Sequence, residues 1–404
     1  MPNSKLIERL NNAGSDELTG LVGQQCQLGQ LVQTLVAIRS YDEYAGFAGS
    51  YEKRLDLEPY IFYDMSPNVG ENRGKYKPKY ELFFRARDVT ALMFFWLRGD
   101  RASWFLTKDH VFLNNNTAWL DRQALLPGLS PDKRFGLVCS SNPGNHAKVA
   151  QPVIFIGSRA NYYHFIVDFL PYLILADQVP ELAGLPFLLQ VTTSYQEQFM
   201  DMLGIPRQRG MLLAPNEEGS TALVDLDDVV LPAPLPFPVR LELVRKTLSR
   251  ADGNCGQRKL FIARGNPSAV ATRLRNEADV AVFLERHGFE TVYLDNSSAL
   301  AQVDLFGQAR CIVAAHGAAL ANCVFAPKQC RVIELMNDAA AADPSEIFNC
   351  YRRLCHCLDL DYHRLTSPVE PGLTGLDARD AAFVCDLARL RQLVADLPTA
   401  ATTA

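Results

Sequence analysis

The pattern of hydrophobic and polar positions changes along the chain, and each pattern predicts a different kind of element. From about residue 15 to 45, apolar residues recur at three- and four-residue spacing, which predicts a helix. Residues 50–75 are rich in Pro, Tyr, Asn and Gly and predict a loop. Aromatic and β-branched runs then predict strands, among them "YELFFRARDVTALMFFWL", "ASWFLT" and "QPVIFIG".

The second half of the chain alternates between strand-like and helix-like segments. Strands are predicted at "KLFIARG", "FETVYLD", "CIVAAHG" and "RVIELM", and helices at "NEADVAVFLERHG", "SSALAQVDLFGQA" and "AALANCVFA" between them. This alternation predicts βαβ units with a parallel sheet, in which ligands bind at the carboxyl ends of the strands. The four prolines of "VLPAPLPFPVR" (230–240) predict a connector between two domains. The tail "AAFVCDLARLRQLVADL" predicts an amphipathic helix.

Composition and charge narrow the class of protein. The 404 residues are 48% hydrophobic and 21% charged, which is typical of a globular protein long enough for two domains. A formal net charge of −5, with scattered basic residues, argues against a nucleic-acid partner. No apolar run reaches the roughly 18 residues of a membrane span, and the start lacks a signal-peptide pattern. We therefore predict a cytoplasmic protein whose ten cysteines are reduced thiols.

Metal-binding signals are weak in this sequence. Cys355 and Cys357 flank His356, but no second Cys/His pair stands at zinc spacing. Two short Asp-x-Asp sequences, at 225–228 and 359–361, match a metal-binding motif but are typical of strand and helix ends. The sequence therefore predicts neither a metal site nor a required cofactor.

The sequence His316-Gly317 stands where a buried strand meets a helix. An imidazole can donate a hydrogen bond to a phosphate oxygen, glycine permits a turn and close approach, and a helix start favours anions. The same residues also suit a structural turn with a satisfied histidine. Alone, the motif leaves both interpretations open.

A second candidate lies in "FIARGNPSAVATRLRNEADV". Arg264 ends a predicted strand, and Arg273, Arg275 and Asn276 precede a predicted helix that begins near Glu277. Guanidinium groups bind diphosphate in a bidentate manner, so Arg264 and Arg273 are candidates for an anion site. For Arg275 we favour a solvated loop position.

Two further carboxylates are candidates for chemistry. His164 and Asp168 stand four residues apart and share one face of a predicted helix, which Pro171 bends. Together a carboxylate and an imidazole can take a proton from a hydroxyl group. Glu334 sits inside an apolar strand, where a buried carboxylate needs a partner.

Taken in order, these stretches resemble glycosyltransferase family 61. The resemblance covers about 150–365 and rests on the following sequences: "NYYHFIVDFLPYL", "FIARG" with "TRLRNE", "HGFETVYLD", "AQVDLFGQARCIVAAHGAALANCVFAP", "RVIELM" and "YRRLCHCLDLDYHRL". It implies an α/β fold of GT-B type, with two Rossmann-like domains facing a cleft, preceded here by an extra N-terminal helical/β segment. The implied domains are an N-terminal extension (1–75), an acceptor-side domain (76–240), a nucleotide-sugar-binding domain (241–365) and a helical tail (366–404).

The resemblance also implies roles for individual residues. Asp168 would be the general base on the acceptor hydroxyl, with His164 beside it, and Glu334 would meet the ribose or the base of the donor. The residues implied around the donor are Arg264, Arg273, Asn276, His316, Gly317, Ala318, Asn322 and Glu334.

The implied activity is inverting transfer of a hexosyl or pentosyl group from a nucleotide-diphosphate-sugar to a saccharide hydroxyl. Eukaryotic members of the family carry a membrane anchor, so this chain resembles a bacterial cytoplasmic member, in surface-polysaccharide biosynthesis such as that of capsule or O-antigen. The implied partners are a nucleotide-sugar and a saccharide or glycolipid acceptor, and a divalent metal is not expected to be essential. A homodimer through the N-terminal helix and a peripheral membrane association stay open. So do two alternatives, a nucleotide-sugar epimerase of GT-B-like fold and a non-catalytic sugar-binding subunit.

Overall fold

The computed structural model describes ten continuous ranges of residues from residue 146 onward. Before residue 146 it describes eight strands. The ranges are 146–156, 161–189, 193–212, 221–232, 235, 237–249, 256–265, 273–343, 346–369 and 381–395. The chain divides into two compact units: the first comprises Met1–Asp56 and Pro78–Leu235, and the second Leu57–Lys77 and Pro236–Ala404. The boundary at Leu235 falls within the proline-rich segment 230–240.

The strands of the first half are as follows: β1 (Thr34–Ala37), β2 (Gly49–Lys53), β3 (Tyr60–Phe62), β4 (Gly74–Tyr76), β5 (Tyr80–Phe95), β6 (Arg101–Thr107), β7 (Phe112–Leu113), β8 (Gly136–Cys139), β9 (His146–Val149), β10 (Val153–Phe155), β11 (Phe187–Leu189), β12 (Gly210–Leu212) and β13 (Thr221–Pro232). In the described residues, nine of them form one sheet with the path β12-β11-β10-β13-β5-β6-β7, in which β2 also pairs with β5 and β9 with β13.

This sheet of the first unit is mixed. β12, β11, β10 and β13 run parallel to one another. β5 instead pairs antiparallel with β13, β6 and β2. In the long β5, Phe83, Val89 and Ala91 are buried, whereas Arg87 and Asp88 are exposed. The predicted strands are confirmed. The described sheet is nevertheless half antiparallel, unlike the all-parallel sheet of a Rossmann-like domain.

Two predictions near the start of the chain are wrong where the structure describes them. Thr34–Ala37, inside the predicted helix, is a strand that pairs antiparallel with Gly136–Cys139. Thr34 and Val36 are β-branched, and such residues favour a paired strand over a helix. The predicted loop 50–75 contains β2, β3 and β4, of which β3 and β4 pair with each other. The remaining residues of both segments lie outside the described part of the chain.

Helical segments of the first unit connect the parallel strands. They are α1 (Tyr162–His164), a π-helical turn (Phe165–Phe169), α2 (Leu170–Gln178), a 3-10 turn (Pro180–Leu182), α3 (Ser194–Met202) and a second 3-10 turn (Arg207–Arg209). Leu170 N–H bonds to the carbonyl of Phe165, five residues back, which is the π-type bond. Pro171 follows at once and has no N–H to donate, so it favours this departure from α-helix.

The second unit contains a five-stranded sheet in the described residues, and every strand of it is parallel. Its order is β15-β14-β16-β17-β18, formed by β14 (Arg258–Ala263), β15 (Glu290–Tyr293), β16 (Ala309–Ala315), β17 (Arg331–Asn337) and β18 (Asp361–Ser367). Phe261, Val313 and Ile333 stand side by side and are buried, and the buried Leu365 lies opposite Leu335 on the same face. This is a Rossmann-like sheet, as the alternation of the sequence predicts.

The helices of the second unit are α4 (Phe237–Leu248), α5 (Glu277–Glu285), α6 (Ala299–Gly307), a 3-10 helix (Ala318–Phe325), α7 (Asp338–Ala342), a 3-10 turn (Glu346–Asn349), α8 (Cys350–Cys357) and α9 (Leu387–Ala395). Ser298 caps α6 by accepting a hydrogen bond from Ala301 N–H at 3.2 Å. Gly288, with φ of 78°, follows the end of α5. Serine at the start of a helix and glycine just past its end are typical helix signals.

The predicted helix at the C-terminus begins later than expected. Residues 381–386 are extended, and Phe383 bridges to both Leu274 and Val369. The Asp386 side chain then accepts hydrogen bonds from the N–H groups of Ala388 and Arg389, at 2.9 and 3.1 Å, so the helix starts at Leu387. The bridges to distant segments override the local helical pattern. No helix in the described residues is both long and apolar enough to span a bilayer.

Candidate functional site

The carboxyl ends of three neighbouring strands bring polar side chains together in the second unit. β14 ends before Arg264 and Gly265, and β16 ends before His316 and Gly317. β17 lies beside β16 and carries Glu334 opposite Ala314. Ligands bind at this edge of parallel sheets, so the sequence motifs meet where the fold favours a site.

The imidazole of His316 is held on several sides. Its backbone N–H bonds to the carbonyl of Leu335 at 2.9 Å, and its Nδ1 lies 2.6 Å from Oε1 of Glu334. The rings of Phe348 and Tyr351 lie at centroid distances of 5.7 and 5.1 Å. With 15% of its side chain exposed, His316 reaches the surface of the site in one fixed orientation.

Glu334 is a fully buried carboxylate with partners on both oxygens. Oε1 accepts from His316, while Oε2 contacts the hydroxyl of Tyr362 and lies 3.2 Å from Nε of Arg364. Burial and the charge of Glu334 raise the pKa of Tyr362 above its ordinary value, which keeps the phenol protonated. Glu334 therefore contacts side chains of its own unit, and its contact with a ribose or a base stays a prediction.

Two arginines converge on the backbone of His316. Nη2 of Arg264 and Nη1 of Arg273 lie 3.1 and 3.5 Å from the His316 carbonyl oxygen. The structure thus brings Arg264, Arg273, His316 and Gly317 together, as the sequence predicts.

Gly317 makes room for one of these arginines. Its φ of 168° is extended backbone, open to any residue, so the predicted turn is not what requires glycine here. A Cβ at this position would lie 2.5 Å from Nη2 of Arg264. The close approach is to the guanidinium group, and Ala318 follows as the first residue of the 3-10 helix Ala318–Phe325.

Residues at the start of α5 hold two backbone segments next to the site. The Glu277 carboxylate accepts hydrogen bonds from the N–H groups of Arg264 and Gly265, at 3.1–3.3 Å, and so fixes the chain after β14. The Asn276 amide bonds to both the N–H and the carbonyl of Cys385, at 2.8 and 3.0 Å. Asn276 thus holds the segment 381–386, and its contact with the donor stays a prediction.

Asn322 lies away from the other predicted donor residues. It is fully buried, and its amide donates to Gln302 Oε1 at 2.9 Å and to the carbonyl of Ala319 at 3.2 Å. Its contacts therefore join the 3-10 helix to α6 and stabilise the core.

A pocket opens beside His316 within the second unit. Arg273 and His316 supply its polar lining, and Met336, Phe348 and Phe383 supply apolar walls. Asn337 also borders the pocket, but its side chain is occupied by Ala340 N–H at 2.7 Å and the Ala381 carbonyl at 3.1 Å. The pocket is small, and its apolar wall lies next to the two polar side chains.

The first unit carries the second predicted pair. Nδ1 of His164 lies 3.0 Å from Oδ2 of Asp168, and their side chains are 19% and 7% exposed. Asp168 belongs to the π-helical turn, and π-turns inside helices are frequent at functional sites. Asn161 accepts a hydrogen bond from the N–H of His164 at 3.3 Å and so caps the start of the helix. The sequence prediction that these two side chains pair is confirmed.

The cysteines of the described residues are free thiols. They are Cys311, Cys323, Cys330, Cys350, Cys355, Cys357 and Cys385. Burial raises the pKa of Cys311 and Cys385 to about 12 and that of Cys357 to about 11. In the part of the chain that the structure describes, no group of three or more His, Cys, Asp or Glu side chains is arranged to hold a metal ion.

Sequence reasoning missed two members of the site, Tyr362 and Arg364. Both lie on β18, in register with β17, so that Arg364 stands opposite Glu334. The alternation in "YHRL" places them on the same face of that strand. The pairing of β17 with β18, which no local pattern reveals, brings them to Glu334.

Comparison with known proteins agrees with this location. Residues 162–333 match the family model described as Glycosyltransferase 61, a stretch that contains both His164–Asp168 and His316. No curated protein sequence matches the chain. This match to the family model supports a glycosyltransferase enzyme.

Proposed function

We propose that this protein is an inverting glycosyltransferase that moves a sugar from a nucleotide-diphosphate-sugar to a saccharide hydroxyl. The observation that carries the proposal is the convergence of Arg264, Arg273 and His316 at the carboxyl ends of β14 and β16. Two permanent positive charges and an imidazole at this edge suit a diphosphate. The match of residues 162–333 supports sugar transfer as the reaction.

In this proposal the donor binds to the second unit. Arg264 and Arg273 bind the diphosphate oxygens, and His316 donates a hydrogen bond to one of them. The pocket beside His316 takes an adjoining part of the donor, since Met336 and Phe348 offer apolar contact next to Arg273. These charges stabilise the diphosphate as it leaves, which lowers the barrier for bond breaking.

The His164–Asp168 pair of the first unit is the proposed base. The carboxylate and the imidazole lie 3.0 Å apart, so a proton taken from a hydroxyl is shared within the pair. Asp168 accepts that proton in the proposal, and His164 orients and stabilises the carboxylate.

The reaction is then a direct displacement. The acceptor oxygen forms a bond to the anomeric carbon on the face opposite the leaving group, and its proton passes to Asp168. The bond between the anomeric carbon and the phosphate oxygen breaks, and its electron pair leaves with the nucleoside diphosphate. Attack from the opposite face inverts the configuration of the anomeric carbon.

Several finer features belong to the same proposal. We place the enzyme in the cytoplasm, in bacterial surface-polysaccharide biosynthesis, and we assign it a GT-B-type architecture. The all-parallel sheet of the second unit supports a nucleotide-sugar domain of that type. The family match supports a saccharide or glycolipid acceptor.

A thermal-shift screen of nucleotide-sugars followed by an activity assay tests the proposal. We expect at least one nucleotide-sugar to raise the melting temperature, because a ligand that binds only the folded state stabilises it. That donor is then incubated with and without saccharide acceptors. Transfer only in the presence of acceptor supports the proposal. Conversion of the donor without acceptor indicates an epimerase, and binding without turnover indicates a sugar-binding subunit.

A further inference from the structure

Four side chains form a continuous hydrogen-bonded chain behind the proposed donor site. It runs from Arg364 through Tyr362 and Glu334 to His316, across β18, β17 and the end of β16. Nε of Arg364 lies 2.9 Å from the Tyr362 hydroxyl and 3.2 Å from Oε2 of Glu334. Only His316, the last member, is assigned a contact with the donor.

The hydrogen bonds of this chain fix where its protons lie. A buried carboxylate beside an arginine is an acceptor only, so Nδ1 of His316 and the hydroxyl of Tyr362 both donate to Glu334. The guanidinium group of Arg364 donates to Tyr362 and Glu334 in turn. His316 therefore holds a proton on Nδ1, and Nε2 has no hydrogen-bond partner among the residues that the structure describes.

Arg364 is itself anchored, which makes the chain rigid. Its Nη2 donates to the carbonyl of Phe348 at 2.5 Å, and its Nη1 lies 3.3 Å from Oδ1 of Asn349. The ring of Phe348 lines the pocket and lies against His316. One guanidinium group thus holds both the carboxylate behind the imidazole and the turn that carries an adjacent wall.

We propose that Glu334, Tyr362 and Arg364 are positioning residues that hold the proton on Nδ1 of His316, so that Nε2 faces the donor diphosphate. With Nδ1–H bound to Glu334, an imidazole that carries a proton on both nitrogens can donate its Nε2–H to a phosphate oxygen. Glu334 and Tyr362 act only through His316, whereas Arg364 also holds the turn that carries Phe348. This assignment rests on the proposed function of the donor site, and Tyr362 and Arg364 lie beyond the residues that match the family model.

Binding and spectroscopy of matched variants test the proposal. Calorimetric titration with UDP, GDP, ADP and CDP measures the affinity of the wild type, Tyr362→Phe, Arg364→Lys and Glu334→Gln. We expect each variant to lose roughly five- to tenfold in affinity for the nucleoside diphosphate that binds the wild type, which is less than the loss of a whole hydrogen bond to a charged group because the imidazole remains. When Tyr362→Phe is added to a protein that already carries His316→Ala, it should cause no further loss, because its effect passes through the imidazole.

The control variant for Arg364→Lys changes another arginine that joins β17 to β18. Nε of Arg331, on β17, lies 2.6 Å from Oδ2 of Asp361 on β18, three residues before the Glu334–Arg364 pair. Arg331→Lys alters a similar contact without touching His316 and should leave affinity unchanged. Equal losses in Arg331→Lys and Arg364→Lys would show a general effect on the sheet and overturn the proposal.

Imidazole ¹⁵N spectra separate this proposal from that of the donor site, because they need no ligand. We expect the His316 signals to show a proton on Nδ1 in the wild type and a changed protonation pattern in Glu334→Gln. If Tyr362→Phe and His316→Ala act additively, or if Nδ1 carries no proton, the positioning assignment is wrong. If His316→Ala leaves binding of every nucleoside diphosphate unchanged while the spectra are as expected, the donor site fails instead.

Discussion

Nδ1 of His316 lies 2.6 Å from Oε1 of Glu334, and Glu334 is fully buried. The pair joins the end of one strand to the middle of the next. It explains how an imidazole at a strand end is fixed by a carboxylate of the neighbouring strand. Because Glu334 also contacts Tyr362 and Arg364, the carboxylate keeps two partners when His316 is removed.

We predict that His316→Ala weakens donor binding much more than it weakens folding. Loss of a hydrogen bond to a charged phosphate costs about 1.5–3 kcal/mol of binding free energy, which is more than tenfold in affinity. The stability cost is smaller because Glu334 remains paired with Arg364. Calorimetry with nucleoside diphosphates and thermal unfolding measure the two effects on the same preparation.

His287→Ala is the matched control for this prediction. Nδ1 of His287 lies 2.8 Å from the carbonyl of Phe283, at the end of α5 and outside the site. The substitution should leave affinity for nucleoside diphosphates unchanged. An equal loss of affinity in both variants would contradict a specific role for His316.

Gly317→Ala should weaken donor binding and leave stability nearly unchanged. The new methyl group would lie 2.5 Å from Nη2 of Arg264, so the guanidinium group must move. The φ of 168° suits alanine, and the displaced atom is the end of a flexible side chain, so folding tolerates the change. We expect a loss of about tenfold in affinity, the size of one hydrogen bond between charged groups.

Gly288→Ala should show the opposite behaviour. Gly288 has φ of 78°, which strains an L-residue by about 1–2 kcal/mol, although a Cβ there would find space. Urea unfolding should report this loss, whereas affinity for nucleoside diphosphates should stay at the wild-type value. If Gly317→Ala instead lowers stability and leaves affinity intact, the contact between Gly317 and Arg264 serves folding alone.

The sequence predicted the fold best where local periodicity determined the structure. Between 258 and 337 the alternation of apolar runs and helical patterns matches the observed strands and helices. The helix predicted from residue 381 begins only at Leu387, because Phe383 bridges to two distant segments. The helix predicted over Thr34–Ala37 was wrong for the same reason, since the strand that pairs with this segment lies about a hundred residues later in the chain.

The candidate site was predictable only in part, for the same reason. Arg264 and His316 stand at strand ends, and strand ends can be read from the sequence. The partner of Glu334 was not readable, because Arg364 reaches it through the register between β17 and β18. Asn322 was assigned from its position in a motif, whereas its side chain turns to Gln302 in the core.

Asp168→Asn should abolish transfer while leaving donor binding intact. The amide keeps the shape of the carboxylate, but it cannot accept the acceptor's proton. A lost general base costs typically about 10²- to 10⁴-fold in rate, so we expect kcat to fall by that factor. Initial-rate assays measure kcat, and calorimetry with the nucleoside diphosphate checks the donor site.

Asp177→Asn offers the same chemical change on the neighbouring helix α2. Asp177 lies 2.7 Å from Nη1 of Arg209 in a partly exposed ion pair, which contributes little to stability. This variant should keep wild-type kcat. Full activity of Asp168→Asn would overturn the assignment of the base.

Transfer activity should survive a chelator. Arg264, Arg273 and His316 place positive charge and hydrogen-bond donors where the diphosphate leaves, which is the task a divalent ion performs in other sites. We expect the initial rate in excess EDTA to stay within about twofold of the untreated rate, a difference in barrier below about 0.5 kcal/mol. Complete loss of activity that magnesium or manganese restores would contradict this prediction.

Stability should fall as the pH rises above 9, because of buried thiols. The pKa of Cys311 and that of Cys385 are about 12 in the folded protein, against 9.0 for a free thiol. An acid whose pKa is raised by folding binds its proton more tightly in the folded state. Its stabilising contribution is therefore complete below pH 9 and is lost as the pH approaches 12. Each such thiol lowers the free energy of unfolding by about 1.4 kcal/mol per pH unit within that window.

A variant without these two thiols isolates their contribution. In Cys311→Ala/Cys385→Ala, the hydrogen bonds from the backbone of Cys385 to Asn276 remain, so the segment 381–386 stays in place. We expect the free energy of unfolding in urea to fall less steeply between about pH 9 and pH 10.5 in this variant than in the wild type. Equal slopes would mean that the two thiols ionise in the folded protein as readily as in the unfolded chain, and that burial does not protect them.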